Sequence, residues 1–268
     1  MARRRSRGSD EKRGIVIRSV LVWCRSAARH TRRKVPVALG CGLIAVFFAG
    51  VPGAGPAAAQ SAVAGLDVSG HDSTVNWGTV TSAGAQFAYV KATEGTSYVN
   101  PDFTAQYDGS YQAGMIRGTY HFALPNVSSG ATQARYFVAN GGGWSADGRT
   151  LPGALDIEYN PYGAECYGLS QSAMVSWIAS FADAYQALTT RWPVIYTTAA
   201  WWAMCTGNYS GFATEDPLWI ASYGTGAGTL PAGWGFFTFW QYTSGGSLPG
   251  DQDVFNGSSS DLQRLALG

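Results

Sequence analysis

Residues 154–158 read Ala-Leu-Asp-Ile-Glu, a short apolar run that ends in acids, and they decide the fold class. A run of this length and composition suits a strand that is buried on both faces. Five other short runs are similarly rich in aromatic or β-branched residues and are also expected to be strands. They are Phe87–Lys91, Gly118–Phe122, Val194–Thr197, Leu218–Ser222 and Phe236–Tyr242.

Helical patterns separate these strands. After Ser170, a good helix-capping residue, apolar side chains recur at spacings of three and four from Met174 to Leu188, which indicates a helix with one buried face. Two further helices are predicted over Phe103–Ala113 and Ala131–Ala139. The alternation favours a parallel α/β fold, but the helices are too few and uneven for a regular eightfold barrel. We therefore predict an irregular single-domain β/α barrel.

The first sixty residues differ in character from the rest. Twelve of the 18 Lys and Arg residues precede Val35, an apolar run from Val37 to Val51 follows, and Ala57, Ala58 and Ala59 close the segment. This order is typical of a secretory signal, and the run is shorter than the roughly 20 residues of a spanning helix. We expect residues 1–59 to be a cleaved leader and residues 60–268 to be one secreted domain. An uncleaved amino-terminal anchor is the alternative.

The expected mature domain is acidic. Once the twelve basic and two acidic residues of the leader are removed, 6 basic and 15 acidic residues remain, a net charge of −9. This charge disfavours nucleic acid as a partner, because phosphates require a basic face. After loss of the leader, no membrane partner is expected, and we expect a monomer.

Two cysteines remain after the leader, Cys166 and Cys205. In an oxidising compartment they are expected to form a disulfide. Together with only His71 and His121, two thiols make a poor zinc set. We therefore expect neither a metal nor another cofactor.

The acids of residues 154–158 carry the first indication of chemistry. Residues two apart on a strand point to the same side, so Asp156 and Glu158 share one face while Leu155 and Ile157 pack on the other. Two close carboxylates cannot both ionise normally, and the pKa of one rises towards the value that a general acid needs. A glycosidase protonates a leaving sugar oxygen with such a group. Taken alone, the pair could equally be an exposed acidic pair at a strand end.

Other acids are expected at the same end of neighbouring strands. Asp67 follows an expected first strand, Glu94 follows the second, and Asp253 is predicted to lie just beyond the last strand. Because active sites of such barrels lie at the carboxyl ends of the strands, these acids should converge on one cleft. For Glu94, an ion pair with Lys91 is at least as good an interpretation as catalysis.

Aromatic and polar residues near the strand ends form a second indication. The chain has 10 Trp, 14 Tyr and 12 Phe, and aromatic faces stack on sugars, although any single one can equally belong to the core. The candidate binding residues are Tyr89, Tyr120, His121, Tyr159, Tyr196, Trp219 and Gln241.

Six segments, in order, resemble the glycoside hydrolase family 25 lysozymes, also called Chalaropsis-type muramidases. They are Gly65-Leu66-Asp67-Val68-Ser69, residues 87–95, Gly118-Thr119-Tyr120-His121-Phe122, residues 154–158, Pro217-Leu218-Trp219-Ile220-Ala221 and Phe239-Trp240-Gln241-Tyr242. The resemblance implies a barrel with few helices and hydrolysis of the β-1,4 bond between N-acetylmuramic acid and N-acetylglucosamine. Its partner would be the glycan strands of peptidoglycan.

The same resemblance assigns roles to the acids. Glu158 corresponds to the general acid and Asp156 to its close neighbour, while Asp67 and Asp253 correspond to further acids of the cleft. Asp251 could fill the last position instead, but Val254 and Asn256 after Asp253 favour the latter. Glu94 lies in the family's signature segment, but as a catalytic candidate it has lower weight than Asp156 and Glu158.

Three mechanisms remain open after protonation by Glu158. An enzyme carboxylate could attack the sugar, a base could activate water, or the acetamido oxygen of the substrate could attack with Asp156 steadying the amide; we favour the last. Two other functions stay as alternatives. One is a chitinase-like hydrolase, although Pro152 and Ala154 stand where its longer acidic motif would place aspartates. The other is a non-catalytic wall-binding module.

Overall fold

The computed structural model of the chain describes residues 62–72 and 74–268. The expected leader, residues 1–59, and its cleavage site lie outside the described residues. The strands are β1 (Val63–Val68), β2 (Phe87–Glu94), β3 (Tyr98–Val99), β4 (Ile116–Phe122), β5 (Ala154–Asp156), β6 (Val194–Thr197), β7 (Leu218–Ala221), β8 (Phe239–Thr243) and β9 (Asp251–Phe255). The helices are α1 (Trp77–Ser82), α2 (Phe103–Gln112), α3 (Gly130–Phe137), α4 (Gln171–Thr189), α5 (Ala199–Thr206) and α6 (Ser259–Leu267).

Eight strands close into a barrel. Their order is β1, β2, β4, β5, β6, β7, β8 and β9, and β9 returns to pair with β1. Neighbouring strands are parallel except for β9, which runs antiparallel to both β8 and β1. The segment between β8 and β9 is short, as antiparallel neighbours allow, whereas parallel neighbours need a longer crossover. The two-residue strand β3 pairs with the end of β2.

The predicted irregular β/α barrel is confirmed, and all six expected strands are present, Val194–Thr197 with its expected bounds and the other five with shifted ends. The longest predicted helix begins at Gln171, and the Ser170 side chain caps it by accepting a hydrogen bond from the Ala173 N–H. One strand expectation is wrong. Asp253 lies in the middle of β9 rather than beyond the last strand, because β9 enters the barrel in the opposite direction.

The barrel interior is filled in layers by alternate residues of each strand. Tyr89 stacks on Trp219 with ring centroids 4.8 Å apart, and Tyr196 meets the same indole edge-on at 4.9 Å. Beneath them, Phe239 contacts Phe87 at 5.2 Å and belongs to the same buried cluster. These aromatic rings make the barrel a packed core, and they form the floor beneath its carboxyl-terminal mouth.

Two glycines make room for these rings. A side chain on Gly65 would clash with the ring of Phe87, and one on Gly118 would clash with the ring of Tyr89. Each glycine faces its aromatic partner across a strand pair. The glycines therefore leave the space that the large rings fill, as dense packing requires.

The residues between the inward-facing ones point outward to the helices. Leu155 and Ile157 are fully buried and pack with Phe137, Phe181 and Trp201 in a cluster beneath α3, α4 and α5. The expected alternation along residues 154–158 is therefore present, with the apolar side chains outward. This packing fixes the strand from behind and leaves its acids free to face inward.

A disulfide ties the segment after β5 to the helix layer. Cys166 and Cys205 are bonded, with Cα atoms 5.4 Å apart, as the sequence predicts. Close by, the Trp201 indole donates a hydrogen bond to the Glu165 carbonyl at 3.0 Å. The segment that follows Glu158 is thus held to α5 at two neighbouring points. Across the described part of the chain, no helix is long and apolar enough to cross a membrane.

Replacing both bonded cysteines by serine should lower the free energy of unfolding by about 2–4 kcal/mol, because the cross-link restricts the unfolded chain. Urea denaturation measures the loss, and reduction of the wild-type protein should reproduce it. Equal unfolding free energies for the double variant and the oxidised wild type would contradict this role.

Candidate active site

A cavity of about 530 Å³ opens at the carboxyl ends of the parallel strands. Its walls are mostly polar, and they include several residues expected from the sequence. The expected residues that line it are Asp67, Tyr120, Asp156, Glu158, Tyr196, Trp219 and Gln241. Side chains from different strands therefore meet around one cavity at this end of the barrel, where the sequence predicts them.

The two acids of residues 154–158 both face this cavity. Asp156 is the last residue of β5 and is buried, while Glu158 lies two residues beyond it and is partly exposed. Although β5 ends at Asp156, the Ile157 N–H still donates to the Tyr196 carbonyl at 3.0 Å. This bond keeps the chain extended, so that Glu158 returns to the inner side.

Burial and nearby carboxylates suppress ionisation of both acids. Burial raises the pKa of Glu158 to about 7, with a further rise from Asp251 and a partial offset from Lys91. Burial and the nearby Glu158 hold the pKa of Asp156 well above its ordinary value. Oδ1 of Asp156 is buried without a hydrogen-bond partner among the described residues. Near neutral pH the pair can therefore supply a proton and a free acceptor to a ligand.

Asp67 is held across the mouth by a hydrogen-bond relay. The Gln241 side-chain amide donates to Oδ2 of Asp67 at 2.7 Å. The amide oxygen of Gln241 accepts from the hydroxyls of Tyr196 at 2.9 Å and Tyr223 at 3.0 Å. Burial and the charge of Asp251 raise the pKa of Asp67 to about 7, against the opposing effect of the Gln241 bond. The relay fixes the orientation of the Asp67 carboxyl at the mouth.

Asp253 lies one layer below the cavity. Its side chain is fully buried, and Oδ1 accepts a hydrogen bond from the Trp219 indole at 2.8 Å. Burial and the neighbouring Asp67 raise its pKa well above the ordinary value. Asp253 thus contacts the floor and does not line the cavity, where Asp251 stands instead. Residues 251 and 253 share the inner face of β9, and its antiparallel direction puts the earlier one at the mouth.

Glu94 forms an ion pair at the edge of the cavity. Its Oε2 lies 2.6 Å from the Lys91 ammonium, and its Oε1 accepts a hydrogen bond from the Tyr162 hydroxyl at 2.6 Å. The Lys91 ammonium also lies 4.8 Å from the centre of the Phe122 ring. Lys91 lines the cavity and Glu94 does not. The arrangement matches the ion-pair interpretation of Glu94 that the sequence left open.

Three expected binding residues lie away from the cavity. His121 is fully buried on the outer side of β4, between Thr93 and Gln133, because adjacent residues of a strand face opposite sides. Tyr89 lies deep in the barrel, where its hydroxyl donates to the Pro152 carbonyl. Tyr159 follows Glu158 but does not line the cavity. These three residues are therefore not in position to contact a ligand in this cavity.

A smaller cavity of about 270 Å³ adjoins the first. It is lined by Thr198, Ala221 and Tyr223, and it shares Glu158 and Tyr196 with the larger cavity. Glu158 therefore stands between two spaces. Tyr223 is not one of the binding residues expected from the sequence, although its position directly after an expected strand is a usable signal.

No group of three or more His, Cys, Asp or Glu side chains among the described residues is arranged to hold a metal ion. The acids at the mouth instead face one another with Lys91 as the cation that lowers the pKa values of Asp156 and Glu158. The chemistry that this arrangement supports is proton transfer by carboxyl groups.

Comparison with known proteins gives concordant matches. Residues 66–251 match the model for Glycosyl hydrolases family 25. Lysozyme M1 of Streptomyces globisporus is 53% identical over 225 residues, which are 80% of this chain and 76% of that protein. The N,O-diacetylmuramidase of a Chalaropsis species is 47% identical over 210 residues, which are 77% of this chain and 100% of that protein. A solved muramidase from Acremonium alcalophilum has a TM-score of 0.76 at 58% identity, covering 77% of this chain and 99% of that one.

The raised pKa values predict that the protein loses stability as pH rises. Between pH 4.5 and about 7, folded Glu158 keeps a proton that the unfolded chain releases, so the free energy of unfolding falls across this window. Glu158→Gln should remove about 1–3 kcal/mol of this loss at pH 8 and have little effect at pH 4. Denaturant titrations at the two pH values measure it.

Glu165→Gln is the matched control, because Glu165 is exposed on the same segment. It should not change the pH dependence. If Glu158→Gln changed stability equally at both pH values, the buried proton would not be its cause.

Proposed function

The chain belongs to glycosyl hydrolases family 25, and from this membership we propose how its cleft acts on its substrate. It is a lysozyme, an N-acetylmuramidase that hydrolyses the β-1,4 bond between N-acetylmuramic acid and N-acetylglucosamine in peptidoglycan. The reaction must protonate a leaving sugar oxygen and stabilise positive charge at the anomeric carbon. The acids of the cleft can meet both requirements.

Glu158 is the proposed general acid, and its position carries the proposal. It stands between the larger cavity and the smaller one, so a glycan lying through both would place a glycosidic oxygen beside it. Burial raises its pKa to about 7, which keeps it protonated at mildly acidic pH and still able to give up the proton. A general acid works best when its pKa lies near the working pH.

Asp156 is the proposed partner of the substrate's acetamido group. Asp156 lines the cavity, and its buried Oδ1 has no hydrogen-bond partner among the described residues, so the carboxyl can accept a hydrogen bond from the acetamido N–H. The acetamido oxygen would then attack the anomeric carbon while the glycosidic bond breaks and Glu158 gives its proton to the leaving oxygen. Water would next attack the same carbon, return a proton to Glu158 and release the acetamido oxygen.

The remaining residues of the cavity are proposed to bind and orient the sugars. Tyr120 and Trp219 offer aromatic surface at the floor, and the relay through Tyr196 and Gln241 orients Asp67. Asp67 and Asp251 would accept hydrogen bonds from sugar hydroxyls, and each in its ionised form would favour positive charge in the transition state. Glu94 and Asp253 act only through Lys91, Trp219 and Asp67 in this proposal.

We also propose that the enzyme is secreted and acts as a monomer. Secretion is supported by the basic, apolar and small-residue order of residues 1–59 and by the disulfide, which suits an oxidising compartment. The cavity is built from strands of a single chain, so a second copy is not required to complete it.

Glu158→Gln should lower hydrolysis of purified peptidoglycan by about 10²–10⁴-fold, since it removes the proton donor and keeps the side-chain shape. Release of reducing ends measures the rate, and mass spectrometry identifies the new terminus, which should be N-acetylmuramic acid. Glu165→Gln is the matched control and should retain wild-type activity.

The other outcomes of this experiment identify different functions. Full activity in Glu158→Gln would move the acid elsewhere, with Glu94 the next to test. An inactive wild-type protein that still sediments with walls would be a binding module. N-acetylglucosamine at the new reducing end would reject muramidase specificity.

The activity should fall as pH rises through about 7, because Glu158 then loses its proton. Asp251→Asn removes the charge that raises this pKa after burial, so the alkaline limb of kcat/KM should move to lower pH. Lys91→Met should move it to higher pH, since Lys91 lowers the same pKa. Soluble glycan fragments suit the measurement.

Asp108→Asn makes the same charge change on the exposed side of α2 and should leave the limb in place. Shifts of the same sign for Asp251→Asn and Lys91→Met would reject Glu158 as the group that titrates.

A further inference from the structure

A separate cavity of about 210 Å³ lies at the opposite end of the barrel strands, where β7 and β8 begin. Residues 213–218 form one side, and residues 234–236 with Thr238 form the other. None of the residues of the catalytic cleft lines it. The reaction proposed above therefore makes no use of this cavity.

Asp216 is the unusual group of this cavity. Its side chain is 3% exposed, and Oδ1 has no hydrogen-bond partner among the described residues. Its main chain is well held, because the Trp234 indole donates to the Asp216 carbonyl at 2.9 Å. A buried carboxyl without a partner costs free energy, and such groups in native proteins commonly have a ligand or a functional reason.

The charge around Asp216 is negative. Glu215 beside it and Asp183 on α4 both raise its pKa, which burial and these two charges together bring to about 8. No Lys or Arg among the described residues lowers that pKa. A neutral ligand would gain little from three carboxyls, whereas a cation would be attracted by all of them.

An aromatic surface borders the acids. Phe236 lines the same cavity and is 68% exposed, and the buried ring of Trp234 lies on the same side. Ammonium groups bind favourably over aromatic faces as well as to carboxylates. Carboxyls and rings together around a cavity of this size match a primary ammonium on a flexible chain.

We propose that this cavity binds a primary ammonium group, with Asp216 as its acceptor and Phe236 against its alkyl chain. On the polymer that the enzyme cuts, the ammonium is that of a peptide stem, an identification that rests on the proposed function. The cavity then holds the wall by its peptides while the cleft at the other end holds a glycan strand. Since the two sites lie at opposite ends, the bound stem belongs to another strand of the network.

Binding of a cation should also release a proton. At pH 7 Asp216 is mostly protonated because its pKa is about 8. The groups that face it, Glu215, Asp183 and the Trp234 ring, supply no positive charge. An ammonium would favour the ionised carboxyl, so that affinity rises with pH up to about 8.

Isothermal titration of the purified protein with Nα-acetyl-L-lysine amide at pH 7 tests the proposal. Buffers of different ionisation enthalpy report the released proton. We expect saturable binding to one site with proton release, and no binding of the Nα,Nε-diacetyl analogue, which lacks the charge. Asp216→Asn should weaken binding at least about tenfold, because a charge-assisted hydrogen bond is lost, and should abolish proton release.

Glu158→Gln and Asp251→Asn separate this site from the acidic cleft. Both should leave probe binding unchanged. Absence of binding to the wild type, equal binding of the diacetyl analogue, or loss of binding in the cleft variants rather than in Asp216→Asn would each overturn the proposal. If Asp216→Asn does not fold, the exposed Glu215→Gln should weaken binding, and an unchanged affinity would count against the site.

Activity on two substrates tests the link to peptide stems. On intact peptidoglycan, Asp216→Asn should raise KM and leave kcat unchanged. On glycan from which an amidase has removed the stems, the variant should match the wild type. Probe binding with equal KM values on intact walls would reject the stem as the ligand, and probe binding by a protein without muramidase activity would reject only the proposed function.

Discussion

The pairing of β1 with both β2 and β9 is the constraint on which the rest of the structure depends. It closes the sheet, so each strand has a definite inner and outer side. Closure brings Asp67 on β1 within 2.7 Å of Gln241 on β8, although 174 residues separate them. In an open sheet, the ends of β1 and β8 would not border the same cavity. The cleft is therefore a consequence of closure rather than of any single loop.

The layers inside the barrel separate packing from chemistry. The lower layers consist of aromatic rings such as Phe87, Phe239 and Trp219, which exclude water from beneath the mouth. The top layer carries the acids. Burial above this floor, away from water, raises the pKa values of Asp67, Asp156 and Glu158 together. The packing that stabilises the barrel thus also prepares its proton donor.

Lys91 is placed where it limits this effect. Lys91 lowers the pKa of both Asp156 and Glu158, and Glu94 holds it with help from Tyr162. At the opposite end, Asp216 has no such cation among the described residues. The two ends of the barrel therefore differ in kind. In the cleft, Lys91 partly offsets the negative charge of the acids. In the cavity at Asp216, a ligand would have to supply the positive charge.

The sequence by itself determined the barrel class, most strands, the longest helix with its Ser170 cap and the disulfide, because these follow from local periodicity, capping chemistry and cysteine count. It also put Asp156 and Glu158 on one face. Only the tertiary structure decided which side of each strand is inside, and so placed His121 under the helices. It also decided that Asp251, rather than Asp253, stands at the mouth. Strand direction and closure depend on pairings between distant residues, which no local pattern encodes.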